Sequence, residues 1–192
     1  MPVKHLKKAG GFTLMELVLG IVVFAIAMSL FLSLIVPQAR QSADPILQVR
    51  ASELAQSLMS EIVSKSFDEN SSRGGGTGRC NEAPNPDCTA SNALGPDGET
   101  RGTYNDVDDY DGLNQSGAAI QNSSGSTISL NGRNLYEGFL VNIIVFYDDD
   151  MDGLDDALSR GLAYIGNNKL IHVTVTTPTG EAIAFSSYRS NY

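Results

Sequence analysis

The sequence predicts an α+β fold: a long N-terminal helix, its first half transmembrane, packed through its second half on an antiparallel sheet of about four strands. Three observations predict it. Twenty consecutive uncharged residues run from Leu17 to Val36, apolar positions recur at helical spacing from Leu47 to Ile62, and β-branched and aromatic runs close the chain. At 192 residues the chain suits one domain of ordinary size behind that apolar segment.

The apolar segment, LVLGIVVFAIAMSLFLSLIV, has about the length a helix needs to cross a ~30 Å hydrocarbon core. The basic stretch Lys4-His5-Leu6-Lys7-Lys8 before it stays on the cytoplasmic side by the positive-inside rule, which sends the remainder outward. Three readings compete: a plain anchor, a cleaved secretory signal with the small-x-small site Ala25-Ile26-Ala27, and a more specific signal. The secretory reading leaves two features unexplained. The apolar run continues for nine residues past Ala27, and a carboxylate, Glu16, sits inside the apolar segment. A charge at membrane depth calls for a partner, unless Glu16, one turn from the start, reaches back to the headgroups.

Gly10-Gly11-Phe12-Thr13-Leu14-Met15-Glu16-Leu17 resembles the class III signal of type IV pilins and type II secretion pseudopilins. The resemblance implies that a prepilin peptidase cuts after Gly11 on the cytoplasmic side and methylates the new amino terminus of Phe12. It implies a role in subunit assembly for Glu16, whose carboxylate neutralises the amino terminus of a neighbouring subunit as helices pack into a filament. It also divides the chain into a leader (1–11), a transmembrane and filament-core helix (12–36), the amphipathic half of the long helix (37–67) and a loop-rich, antiparallel β domain (68–192) of pilin-like fold. The partners it implies are other pilins, the prepilin peptidase and an inner-membrane assembly platform. The protein is expected in the bacterial inner membrane as a single-pass precursor with a periplasmic C-terminal domain, and then in a pilus or pseudopilus.

Pro37 is expected to end or kink the spanning helix. Helical pattern resumes with Asp44 as N-cap and Pro45 at the first helical position. Leu47, Ala51, Leu54, Leu58 and Ile62 then form one apolar stripe, opposite Gln48, Arg50, Gln56 and Ser60. The stripe is the face expected against the sheet, and Phe67 marks the exit.

Asp68 to Ser126 is rich in Gly, Asn, Ser and Pro and reads as loops and turns. The run Gly74-Gly75-Gly76-Thr77-Gly78 lacks the Gly-Lys-Ser/Thr ending of a phosphate loop and reads as a flexible segment. Cys80 and Cys88 flank a Pro-containing turn; outside the inner membrane they are expected to form a disulfide pinning a surface loop, since no further His or Cys is near enough for a metal site. Asn105-Asp106-Val107-Asp108-Asp109-Tyr110-Asp111-Gly112 reads either as a solvated acidic turn or as half of a cation site. Together with Phe67-Asp68-Glu69-Asn70-Ser71, the two cysteines and Gly95-Pro96-Asp97-Gly98-Glu99, it is similar to minor pilins of mannose-sensitive haemagglutinin (MSHA) pili. That similarity implies a part in the assembly or priming of an MSHA-like type IV pilus. A minor pseudopilin of a type II secretion system is the close alternative, and an anchored calcium-binding domain that does not polymerise is the more distant one.

Phe139 to Tyr147 is a strand buried on at least part of both faces. Leu170 to Thr176 alternates, with Ile171, Val173 and Val175 on one face; Pro178-Thr179-Gly180 is a turn; and Ala182 to Tyr188 returns as a strand. Thr127 to Leu130 is the expected fourth strand. Between the first two C-terminal strands, six carboxylates fall within the nine residues 148–156. Asp148, Asp150, Asp152, the Leu154 carbonyl and Asp156, with Gly153 at the sharp turn, follow the first nine positions of a calcium loop and are the candidate ligands of a structural Ca2+ ion. Position twelve, where an EF-hand supplies a bidentate Glu, is Ser159. The alternative is a hairpin loop kept soluble by its charge, with Arg160 offsetting some repulsion.

Composition excludes nucleic acid as a partner. Residues 1–11 carry three of the 13 bases and none of the 22 acids, so the rest of the chain holds 10 bases against 22 acids, a charge of -12. No enzyme is expected: beyond the leader His172 is the one imidazole, in a strand, and nucleophile elbows, zinc motifs and dinucleotide fingerprints are absent.

Overall fold

The computed structural model describes residue 11 and residues 13–41, 44–72 and 78–192. Two compact units divide at about residue 45. The first holds helix α1 (Leu14–Gln41), whose segment Leu14–Ser33 is long and apolar enough to cross a membrane. Its large side chains are exposed along that length, among them Leu19, Phe24 and Phe31. The helix runs on through position 37 to Gln41, so Pro37 does not end it. A proline removes one amide donor, a loss that one turn of helix tolerates.

The second unit is α+β. Helix α2 (Asp44–Val63) has Pro45 in its first turn, and it buries Ala51, Leu54, Ala55, Leu58 and Ile62, with Leu47 partly covered. These side chains meet Val141, Ile143, Val145, Ile171, Val173 and Val175 in one core. The sheet beneath is antiparallel, in the order β1 (Asn114–Ser116), β4 (Leu140–Tyr147), β5 (Asn168–Thr176) and β6 (Ala182–Ser190). Strands β4 and β5 alternate strictly enough that odd-numbered residues face the helix. The outer face of β4 is covered only in part, with Leu140 and Ile144 exposed and Asn142 and Phe146 half-buried.

The fourth strand is also not the expected one. Ser129–Leu130 (β2) pairs only with Arg133–Asn134 (β3), in a separate two-residue ladder closed by Asn131 and Gly132, both at positive φ. That Asn-Gly turn matches the twist of a tight hairpin. Asn114–Ser116, from the segment read as loops, supplies the sheet edge against Leu140–Asn142. A four-residue helix, α3 (Ala157–Arg160), follows the acidic loop.

Candidate functional site

At the N-terminal end Gly11 stands in open space, and Phe12 lies outside the described residues. Glu16 has a local partner that the sequence reading missed. Its Oε2 accepts hydrogen bonds from the Thr13 amide (3.2 Å) and the Thr13 hydroxyl (3.2 Å), while its own amide donates to Thr13 Oγ1 (3.3 Å). This reciprocal pair is a capping box, which satisfies donors that a helix start otherwise leaves open. The signal was legible as Thr-x-x-Glu before an apolar run.

Cys80 and Cys88 form a disulfide, and both are buried. They pack with Phe67 and Tyr147 in a small cluster of their own. The Asn191 side-chain amide donates to the Cys80 carbonyl (3.1 Å), fastening the loop to the chain terminus. Of the glycine run 74–78, only Gly78 is among the described residues.

The acidic loop 148–156 is organised by its own hydrogen bonds. Asp148 is buried and accepts from the Tyr188 hydroxyl (2.6 Å), the Gly153 amide (2.9 Å) and the Asp152 amide (3.1 Å). Burial alone would raise its pKa, but these donors outweigh burial and hold the carboxyl below its ordinary value. The same contact pushes Tyr188 up to about 12. Asp149 receives the Tyr164 hydroxyl (2.6 Å) and the amides of Asn167 and Asn168. One carboxylate oxygen from each of Asp148, Asp150 and Asp152 falls within a 4.8 Å group, the latter two exposed. Asp156 turns elsewhere, accepting from the Asp149 amide (2.8 Å) and from Arg160 Nε (2.9 Å). The structure therefore brings three of the five candidate ligands, Asp148, Asp150 and Asp152, together and directs Asp156 to Arg160.

The string Asn105 to Gly112 is not a solvated turn. Asp106, Asp108, Asp109 and Tyr110 are all buried. Ser66 bridges to Asp106, and Asp111 accepts from the Val145 amide (2.8 Å), so the segment is stitched to the end of α2's connection and to β4. Opposite it stands Lys169, fully buried on β5, with Nζ 2.7 Å from Asp108 and 3.3 Å from Asp68 and donating to the Phe67 carbonyl (2.8 Å). The ammonium also lies over the rings of Phe67 and Tyr147. Burial, and then the neighbouring Asp108 and Asp109 carboxylates, push Asp106 up to about 9, so it carries a proton at neutral pH. Lys169 could have been found: it continues the inward series Ile171, Val173, Val175 one step back.

A second ion pair, between buried Arg101 and half-buried Glu61, ties this segment to α2. Arg101 holds both oxygens of Glu61, at 2.7 and 2.8 Å, and the Tyr110 hydroxyl donates to the same carboxylate (2.7 Å). The Arg101 guanidinium also faces the rings of Tyr104 and Tyr110. His172 sits on the outer sheet face beside the Ser186 hydroxyl (2.8 Å). In comparisons with known proteins, no family model, curated relative or solved structure matches the chain.

Proposed function

We propose that the protein is a minor pilin, an inner-membrane precursor cut between Gly11 and Phe12 that joins or primes an MSHA-like type IV pilus through its N-terminal helix. The observation that carries this reading is the exposed apolar stretch Leu14–Ser33 with one carboxylate, Glu16, in its first turn. Such a helix has two environments open to it, lipid and the helices of other subunits. A filament subunit meets both in turn, first lipid in the membrane and then neighbouring helices in the filament core. In a filament the Glu16 carboxylate leaves Thr13 for the amino terminus of a neighbour, and a buried charge persists when its complement is in reach.

Two substitutions separate the roles of Glu16. Glutamine retains the capping geometry and removes the charge. Glu16→Gln and Glu16→Ala are therefore both expected to be inserted and cleaved normally yet to enter filaments poorly. Filament entry of Glu16→Gln at the wild-type level contradicts the reading and leaves helix capping as the role of Glu16.

The convergence of Asp148, Asp150 and Asp152 favours a second, compatible reading in which the loop holds a structural Ca2+ ion. Calcium at millimolar concentration then raises the melting temperature, and Asp152→Asn removes the response. A melting temperature indifferent to calcium and chelator contradicts it.

A further inference from the structure

Among the described residues outside the N-terminal helix, Lys169 is a fully buried amine. We propose that Lys169 and Asp108 condense into an intramolecular amide cross-link once the chain has folded, releasing one water. The two groups come from segments 61 residues apart, with Nζ 2.7 Å from Oδ1, and their side chains are 0% and 1% exposed. The second oxygen, Asp108 Oδ2, is buried without a hydrogen-bond partner among the described residues. The other carboxylate beside the amine, Asp68, is occupied on both oxygens, by the amides of Asn70 (3.0 Å) and Thr89 (2.8 Å). It holds the amine in place, and Asp108 is the free electrophile.

Four features favour condensation over a lasting ion pair. Lys169 and the two carboxylates beside it, Asp108 and Asp68, are all buried, and buried charges bear a desolvation cost that their attraction only partly offsets. Moving a proton from Nζ to Asp108 across their 2.7 Å contact gives a neutral amine and a carboxylic acid, the reactive forms. The Phe67 and Tyr147 rings, with centroids 4.5 and 5.3 Å from Nζ, flank the amine, keeping out the water that would hydrolyse the product. Held in contact, the pair also reacts as one molecule, and such positioning is worth effective molarities of about 10⁵ M or more.

A proton relay stands beside them. Asp106 lies in the same buried acidic segment, and burial with the neighbouring Asp108 and Asp109 carboxylates pushes it up to about 9, so it holds a proton at neutral pH. Nζ attacks Asp108 Cγ, forming the C–N bond and a tetrahedral centre. Asp106 gives its proton to the departing oxygen, the C–O bond breaks, and water leaves. The surplus proton on nitrogen returns to Asp106, so ammonium and carboxylate become amide and water with nothing oxidised or reduced. The product replaces the Lys169 and Asp108 charges with one neutral amide and leaves the Asp68 carboxylate to the amides of Asn70 and Thr89. It also fastens the acidic segment to β5, in addition to the Cys80–Cys88 staple.

The cross-link does not depend on the filament reading, and the wild-type chain tests it without any variant. The full chain, purified in detergent, is reduced, unfolded, digested and mapped by mass spectrometry. The expected product is a branched peptide joining Lys169 to Asp108, lighter than its two parents by one water. Lys169→Arg is expected to abolish it. Asp108→Asn is expected to give the same branch with loss of ammonia, and Asp106→Asn to accumulate unlinked, folded chain. Lys169 and Asp108 recovered in separate, unmodified peptides overturn the proposal. A water loss mapped to an Asp-Gly step such as Asp111-Gly112, which marks a succinimide, overturns it equally.

Discussion

Replacing Arg101 with methionine tests how the middle segment is held on α2. Methionine keeps much of the apolar stem and removes both hydrogen bonds to Glu61, leaving that carboxylate with the Tyr110 hydroxyl. The Arg101 side chain is 4% exposed and that of Glu61 15%, so the stranded charge keeps a little access to water. Breaking a buried pair costs about 3–5 kcal/mol, and this exposure places the cost near the lower end, about 3 kcal/mol. For a unit of this size that is a fall in melting temperature on the order of 6–12 °C. Burial would raise the Glu61 pKa, but the Arg101 and Tyr110 hydrogen bonds and the charges of Arg101 and Lys65 hold it below its ordinary value. A depressed carboxylate stabilises above its unfolded pKa of about 4.3, and that contribution is lost as pH falls through the lower folded value. The deficit of Arg101→Met is therefore largest at neutral pH and shrinks below about pH 4. Circular dichroism melts of the full chain in detergent, at neutral and acid pH, measure both. A shift under about 2 °C at neutral pH, or a deficit unchanged in acid, refutes the reasoning.

Asp106 works in the opposite direction. Its folded pKa is raised to about 9, so the folded chain keeps a proton that the unfolded chain releases above about pH 4, and the wild type loses stability as pH rises between the two. Asp106→Asn is expected to flatten that decline in denaturant midpoints taken across the range; an unchanged slope contradicts the buried-acid assignment. Replacing both Cys80 and Cys88 with serine releases a closed loop with a sequence separation of 8 and is expected to cost about 2.5 kcal/mol by chain entropy, read from the urea midpoint. Leu58→Ala, in the α2–sheet core, is expected to cost about 2–5 kcal/mol. Leu30→Ala, exposed on α1, is expected to leave the domain's melt unchanged.

Much of the fold was legible because single periods decide it. The spacing from Leu47 to Ile62 fixes which face of α2 is apolar, and the alternation from Leu170 to Thr176 fixes which face of β5 is covered. What escaped were features decided by residues distant in sequence. Asp106, Asp108 and Asp109 look solvated in a polar string, and only Lys169, far along the chain, gives their burial a reason. Asn114–Ser116 has no β-branched residue; its place in the sheet comes from backbone pairing with β4. Other misses were local and readable. Asn131-Gly132 announces a tight hairpin and Thr13-x-x-Glu16 a helix cap, and each was outweighed by a louder neighbouring pattern.

The central claim is that the apolar helix belongs to a processed filament subunit. The amino-terminal residue of the protein recovered from its native membrane tests it most directly, by mass spectrometry of the N-terminal peptide. The account predicts N-methylated Phe12, with residues 1–11 removed. An uncut Met1, or a chain beginning at Met28 after cleavage at Ala25-Ile26-Ala27, contradicts it.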